Sequence, residues 1–141
     1  MLTSIISLEQ QMLIVGQVLI AALLSMIIGI DREERDKSAG MRTHMLVGVG
    51  AALFTSLSLV AFPDSETARV AANVVTGVGF LGAGVNYKGE EKVHDLTTAA
   101  SIWTTAAVGM AVGAGLWLLA AAATVLIWII LRLLWYVRRY I

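Results

Sequence analysis

Charged side chains are concentrated in a short segment that follows the first apolar run of the sequence. Asp31, Glu33 and Glu34 supply carboxylate oxygens there, and proteins bind Mg²⁺ through one or two carboxylates together with several retained waters. Arg42 and His44 follow at the far end of the segment. Two interpretations stay open: a magnesium site at these carboxylates, or a solvated loop whose charges neutralise one another.

Polar side chains also recur at helical spacing inside the apolar segments. They are Arg69, Asn73 and Thr76 in the third segment, Thr97, Thr98, Ser101 and Thr105 in the fourth, and Gln17 and Ser25 in the first. Residues spaced by three, four or seven positions share one helix face, and polar groups within a membrane usually face the interior of a helix bundle. We expect the three stripes to converge on one polar interior. The alternative is hydrogen bonding between helices, or back to the backbone of the same helix.

The composition indicates a membrane protein. The chain has 141 residues, of which 58% are hydrophobic and 14% are charged, and its mean hydropathy is +0.82. A typical soluble domain carries about 25% charged residues. The zero net charge argues against a nucleic-acid partner, and the absence of cysteine excludes disulfides and thiolate metal sites. The sequence shows no pair of a nucleophile and a base, so we do not predict an enzyme. No cofactor other than Mg²⁺ is expected.

Five apolar segments are long enough to cross a bilayer, which is about 30 Å thick in its hydrocarbon core. We predict an all-α, polytopic membrane bundle that forms a single domain over residues 1–141. The predicted spans are 12–30, 44–62, 68–87, 97–112 and 116–131. The last two result from dividing one uncharged run at Gly113–Gly115. Five spans place nine of the ten Lys and Arg residues on one side, which predicts an outer N-terminus and an inner C-terminus.

Glycines suggest how the helices pack. Gly77, Gly79, Gly82 and Gly84 lie in the third span, and small residues allow transmembrane helices to approach closely. We therefore expect the third span to be the central helix. Two further small-residue faces, Gly48 with Ala52 and Gly109 with Gly113, favour self-association into a homodimer or small homo-oligomer within the lipid bilayer.

Four motifs in order resemble the MgtC/SapB family of bacterial inner-membrane proteins. They are Ile-Gly-Ile-Asp-Arg at 28–32, Ala-Gly-Met-Arg-Thr-His at 39–44, Arg-Val-Ala-Ala at 69–72 with Gly-Val-Gly-Phe-Leu-Gly-Ala-Gly at 77–84, and Leu-Thr-Thr-Ala-Ala-Ser-Ile-Trp at 96–103. The resemblance covers about residues 12–131. It implies a five-span domain linked to magnesium homeostasis and to virulence through survival inside macrophages.

The resemblance also marks site residues. The polar motif positions are Asp31, Arg32, Arg42, Thr43, His44, Arg69, Thr97 and Thr98. We expect Asp31 to pair with Arg42 across the first two spans, in a polar pocket at the cytoplasmic side. Asp95 stands where the family usually has Gly. Many members carry a soluble C-terminal domain, whereas this sequence stops at Ile141, so we expect the hydrophobic domain alone.

Two functions remain open. The first is a small bundle that binds and modulates another membrane complex, such as the F-type ATP synthase on which some family members are thought to act. The second is an oligomeric transporter or channel for Mg²⁺ or protons, whose path would include Asn73 and Ser101. The absence of a carboxylate deep in any span disfavours the second function.

Overall fold

The structure is a computed structural model that describes residues 6–62, 67–86 and 95–140, without the side chains of residues 138–140. The described part consists of five helices. They are α1 (Leu8–Glu33), α2 (Met41–Val60), α3 (Thr67–Asn86), α4 (Leu96–Gly113) and α5 (Trp117–Tyr140). Each is long and apolar enough to cross a membrane, which confirms the all-α, five-span prediction. Most of the segment 63–67, a turn expected between the second and third predicted spans, and most of the charged segment 88–95 lie outside the described residues.

Two helices extend beyond their predicted spans. α1 begins at Leu8 because Ser7 and Gln10 form a capping box, in which Ser7 Oγ accepts the Gln10 backbone N–H at 3.2 Å and Gln10 Oε1 accepts the Ser7 N–H at 3.0 Å. α5 continues to Tyr140, well past Leu131. The predicted spans followed the apolar residues, whereas α1 also includes polar residues at both ends and α5 includes them at its C-terminal end.

The division of the long uncharged run into α4 and α5 is confirmed. Gly115 adopts a left-handed backbone conformation, with φ of +79°. The backbone N–H of Leu116 then donates to the carbonyl of Ala111 at 2.8 Å, and that of Gly115 donates to Val112 at 2.9 Å. These bonds satisfy the last carbonyls of α4, as in a Schellman motif, and end the helix.

α4 is the central helix of the bundle, so the prediction that the third span is central was wrong. α4 packs against all four other helices, whereas α3 contacts only α2 and α4 among the described residues. The closest approach is between α4 and α2. A Cβ atom added to Gly109 or Gly113 would collide with the backbone carbonyl oxygen of Gly48 or Ala52, respectively.

The glycines of α3 contribute little to packing within the chain. A Cβ atom at Gly82 would lie 3.5 Å from Ala99, but one at Gly77, Gly79 or Gly84 would meet no atom of the described residues within 4 Å. The two faces expected to favour self-association are instead occupied inside the chain by the contact between α2 and α4. They therefore provide no support for a homodimer.

The end of α5 returns to the connection between α1 and α2. Arg132 Nη1 lies 3.4 Å from Glu34 Oε2, and the guanidinium of Arg35 lies 4.4 Å from the ring centre of Trp135. We call this end of the bundle, formed by residues 31–44 and 128–136, the charged end. An odd number of crossings brings the C-terminal ends of α1 and α5 together, as the charge pattern predicted.

Candidate functional site

A buried ion cluster lies at the charged end, where α1 finishes. Asp31 is 0% exposed and Arg32 is 3% exposed. Asp31 Oδ1 lies 3.0 Å from Arg35 Nη2 and accepts a hydrogen bond from Arg35 Nε at 3.1 Å, while Asp31 Oδ2 lies 3.4 Å from Arg32 Nη2. One carboxylate therefore compensates two guanidinium groups. The i, i+4 spacing of Asp31 and Arg35 on one helix is the sequence signal that could have identified this pair.

The ion cluster retains unused hydrogen-bonding capacity. Asp31 Oδ2, Arg32 Nε and Nη1, and Arg35 Nη1 are buried and have no hydrogen-bond partner among the protein groups described. Nearly all buried polar groups in native proteins are paired with protein or water. Water or a ligand could satisfy these atoms, which makes the ion cluster a candidate functional site.

His44 lies beside the ion cluster and joins α2 to α4. Its side chain is 0% exposed. Nδ1 lies 2.8 Å from the carbonyl oxygen of Gly40, and Nε2 lies 2.9 Å from Ser101 Oγ. Ser101 Oγ in turn lies 2.8 Å from the carbonyl oxygen of Thr98. Three of the predicted site residues, His44, Thr98 and Ser101, are therefore brought together.

Asp95 begins α4 close to this group. It has a left-handed backbone, with φ of +86°, a conformation that glycine adopts more readily than other residues. Its Oδ1 lies 3.4 Å from Thr98 Oγ1, and its carboxylate interacts electrostatically with Arg32. The sequence resemblance marked Asp95 only as a departure from Gly, whereas the structure places it at the edge of the site.

The other predicted site residues do not join this group. Arg42, Thr43 and Thr97 are exposed, as are Arg69 and Asn73 on α3. The expected pair between Asp31 and Arg42 is absent from the described ion pairs, because Asp31 is bound by Arg32 and Arg35. The stripe on α3 faces outward, so the expectation that all three stripes converge was wrong.

The three carboxylates expected to bind Mg²⁺ have separate partners. Asp31 binds the two arginines, Glu33 Oε2 accepts the backbone N–H of Met41 at 2.7 Å, and Glu34 contacts Arg132. In the part of the chain that the structure describes, no group of three or more His, Cys, Asp or Glu side chains could hold a metal ion. The geometry favours the self-neutralising loop over a magnesium site.

A second buried polar group lies at the opposite end of α4. Ser56 Oγ donates to Gln17 Oε1 at 2.9 Å, and Gln17 Nε2 lies 3.4 Å from the carbonyl oxygen of Gly113. Ser56 was not predicted. The signal was present in the four-residue spacing of the buried residues of α2: His44, Gly48, Ala52 and Ser56.

An apolar cleft of about 570 Å³ opens between α2 and α3. Its walls include Gly50 and Gly77, where an added Cβ atom would meet no atom within 4 Å. Asn73 is the only polar residue among the described residues that line it. The full lining is Leu46, Val47, Gly50, Ala51, Phe54, Val70, Asn73, Val74, Gly77, Val78 and Leu81. The cleft therefore presents a small, apolar surface with one amide side chain.

Together, the fold and the two buried polar groups define a multi-pass membrane protein built from one five-helix bundle. A family model, described as the MgtC family, matches residues 18–140. The chain belongs to this family, as its sequence motifs indicated.

Curated relatives agree with this assignment. The chain is 50% identical to "Protein MgtC" of Brucella abortus over 107 residues, and this alignment covers 76% of this chain and 45% of the relative. It is 43% identical over 122 residues to "Protein MgtC" of Salmonella typhimurium, covering 84% and 52%. It is 41% identical over 124 residues to the "Putative magnesium transporter YhiD" of Escherichia coli K12, covering 82% and 58%. The chain spans about half the length of these relatives. No solved structure matches it.

Proposed function

We propose that this chain is a non-enzymatic protein of the bacterial inner membrane that contributes to magnesium homeostasis by binding another membrane protein. The link to magnesium is supported by the family and by the name of the Escherichia coli relative. The observation that carries the binding function is the cleft between α2 and α3. A transmembrane helix of the partner, for which the F-type ATP synthase is our first candidate, would occupy this cleft.

The glycines of the cleft support this occupant. A glycine inside a helix costs about 1 kcal/mol relative to alanine, and Gly109 and Gly113 are explained by close packing against α2. Gly50 and Gly77 have no such neighbour among the described residues. Because helices in lipid associate through close packing at small residues and through interhelical hydrogen bonds, a partner helix would use both glycines. Asn73 would supply the hydrogen bond.

Ion transport by an oligomer is the second candidate, and the buried cluster of Asp31, Arg32 and His44 favours it. The two buried polar groups lie, however, at opposite ends of an apolar core, within which, among the described residues, only scattered hydroxyls such as those of Ser25 and Thr105 are also buried. That core consists of Ala21, Ile28, Ala52, Val108, Val112 and Ala120. In its described part, a single chain thus offers a largely apolar interior between the two buried polar groups. Proteoliposomes containing the purified protein and an entrapped magnesium dye should show no more Mg²⁺ entry than empty liposomes.

Two matched substitutions on α3 test the docking function. Gly77 and Gly79 are both open, but only Gly77 lines the cleft. Each would be changed to Leu in a strain that depends on this protein for growth at low magnesium. We expect Gly77→Leu to abolish growth and Gly79→Leu to support it, with equal protein levels and equal melting temperatures. Equal growth of the two strains, or equal loss of growth, would refute docking at the cleft.

A further inference from the structure

The arrangement around His44 has too few hydrogen atoms for a neutral ring. Three close contacts run in series, from Gly40 O to His44 Nδ1 at 2.8 Å, from Nε2 to Ser101 Oγ at 2.9 Å, and from Ser101 Oγ to Thr98 O at 2.8 Å. Each contact needs one hydrogen, and the two carbonyl oxygens can only accept. A neutral imidazole and a serine hydroxyl supply one hydrogen each, whereas an imidazolium supplies two. Only the protonated ring completes all three bonds.

The neutral ring must leave one contact without a hydrogen bond. If Nδ1 keeps its hydrogen for Gly40, Ser101 can donate to Nε2, and the bond from Ser101 to the Thr98 carbonyl is lost. If Ser101 instead keeps its bond to Thr98, two lone pairs face each other across 2.9 Å. A neutral ring with its hydrogen at Nε2 would instead turn the Nδ1 lone pair toward the Gly40 carbonyl oxygen at 2.8 Å. For the tautomer with its hydrogen at Nδ1, the direction of the Ser101 hydroxyl therefore depends on whether His44 binds a second proton.

We propose that His44 is a proton-binding site whose occupancy is transmitted through the Ser101 hydroxyl from α2 to α4. When the proton binds at Nε2, the new N–H donates to Ser101 Oγ. The Ser101 hydroxyl then rotates to donate to the carbonyl oxygen of Thr98. Because α4 packs against the other four helices, the first turn of α4 is well placed to transmit the change.

Charged groups from the neighbouring elements surround this site. Arg32 of α1 is close enough to interact electrostatically with His44. Its positive charge disfavours a second positive charge on the His44 ring. The charge of Arg32 is in turn offset by Asp31 on α1 and Asp95 at the start of α4, while Arg35 adds a further positive charge. On α2 itself, the neighbouring Arg42 is exposed. The charges of the two carboxylates and the two arginines thus balance beside His44.

The backbone is closely packed around the ring. A Cβ atom added to Gly29 of α1 would lie 2.6 Å from the Cα atom of Met41 and 3.2 Å from the Cβ atom of His44. Helices α1 and α2 are therefore in close contact beside His44, whose side chain is 0% exposed. The Ser101 hydroxyl, 2.9 Å from Nε2, is the group that responds to a proton at that nitrogen. The proposal does not depend on the cleft or on the identity of a partner.

Nuclear magnetic resonance of the whole chain in lipid nanodiscs tests the proposal. The chain has two histidines, so His94→Gln leaves His44 as the only signal in protein labelled with ¹⁵N-histidine. We expect the two ring nitrogens to shift from neutral to imidazolium values between about pH 8 and 5. The ¹³C carbonyl signal of Thr98 should move with the same midpoint.

Two variants separate the switch from a structural effect. Ser101→Ala should weaken proton binding at His44 about tenfold, because the charge-assisted bond of the imidazolium is lost, and it should abolish the response of the Thr98 carbonyl. Ser101→Thr keeps a hydroxyl and should restore both. A ring that stays neutral over this range would overturn the proposal. So would a Thr98 carbonyl that responds equally in Ser101→Ala.

Discussion

Asp31 and Arg32 are consecutive residues, yet both side chains are buried at the end of α1. Removing a carboxylate and a guanidinium from water is unfavourable unless each is well paired. Asp31 is the shared counter-charge of Arg32 and Arg35, so it is the main carboxylate that compensates these two arginines.

Replacing Asp31 with Asn should therefore destabilise the protein by about 3–5 kcal/mol, the range for breaking a buried ion pair. Arg42→Ala is the control. Arg42 is exposed, and its replacement should change the free energy of unfolding by less than about 0.5 kcal/mol. Unfolding of both purified variants in detergent micelles measures the difference. Equal losses of stability would contradict the assignment of Asp31 as the shared counter-charge.

Asp36 offers a stabilising substitution. It follows α1 with φ of +50°, and the backbone N–H of Lys37 donates to Arg32 O at 3.0 Å, as expected of a Schellman motif that favours glycine at this position. Asp36→Gly should stabilise the protein by about 0.5–1 kcal/mol by relieving the left-handed conformation. Lys37→Gly should not stabilise the protein, because Lys37 does not have a positive φ. Thermal unfolding compares the two, and a lower melting temperature for Asp36→Gly would contradict the account.

The sequence identified several site residues but not their partners. His44, Thr98 and Ser101 were predicted from motif and spacing, and they do meet. Asp31 was expected to reach Arg42 on the next helix. Helix α2 is rotated so that His44 faces inward while Arg42 and Thr43 face outward. The hydrophobic pattern could not predict this rotation, because α2 carries apolar side chains on all of its faces.

At the level of elements, the glycines fall into two groups that the sequence does not distinguish. Gly48, Gly109 and Gly113 lie where a Cβ atom would collide with another helix, whereas Gly77 and Gly84 lie in open space. The density of glycine in α3 suggested a central helix, and the structure instead places α4 at the centre. Small residues allow close packing in lipid, but their presence does not say whether the neighbouring helix belongs to the same chain.

Alanine substitutions test this division. Gly109→Ala should destabilise the bundle by about 1–3 kcal/mol, the usual cost of overpacking, because the new methyl group would meet the carbonyl oxygen of Gly48. Gly84→Ala should be neutral or stabilising by up to about 1 kcal/mol, since alanine favours the helix. Unfolding measurements on both variants suffice. A greater loss of stability for Gly84→Ala would show that the packing of α4 against α2 has been misassigned.

For the molecule as a whole, the count of five helices followed from charge as much as from hydropathy. The pairing of Arg132 with Glu34 places the end of α5 beside the connection that follows α1, as the distribution of Lys and Arg required. The membrane orientation stays a prediction of the positive-inside rule. The separation of the two buried polar groups was not predictable, because it depends on how the helices cross.

Cysteine labelling tests the orientation, since the chain contains no cysteine of its own. Ser38→Cys lies at the charged end, and Ala114→Cys lies at the turn between α4 and α5; both positions are exposed. A membrane-impermeant thiol reagent should label Ala114→Cys in intact spheroplasts and Ser38→Cys in inverted vesicles. The opposite pattern would reverse the predicted orientation.

The central claim, that a partner helix occupies the cleft, is tested most directly by photo-crosslinking in growing cells. Phe54 and Phe80 are both exposed, at 60% and 80%, but only Phe54 lines the cleft. A photoreactive phenylalanine derivative would replace each in turn during growth at low magnesium. We predict that position 54, and not position 80, crosslinks one membrane protein, and that Gly77→Leu abolishes this product. Equal products from both positions, or a product that persists in Gly77→Leu, would contradict the claim.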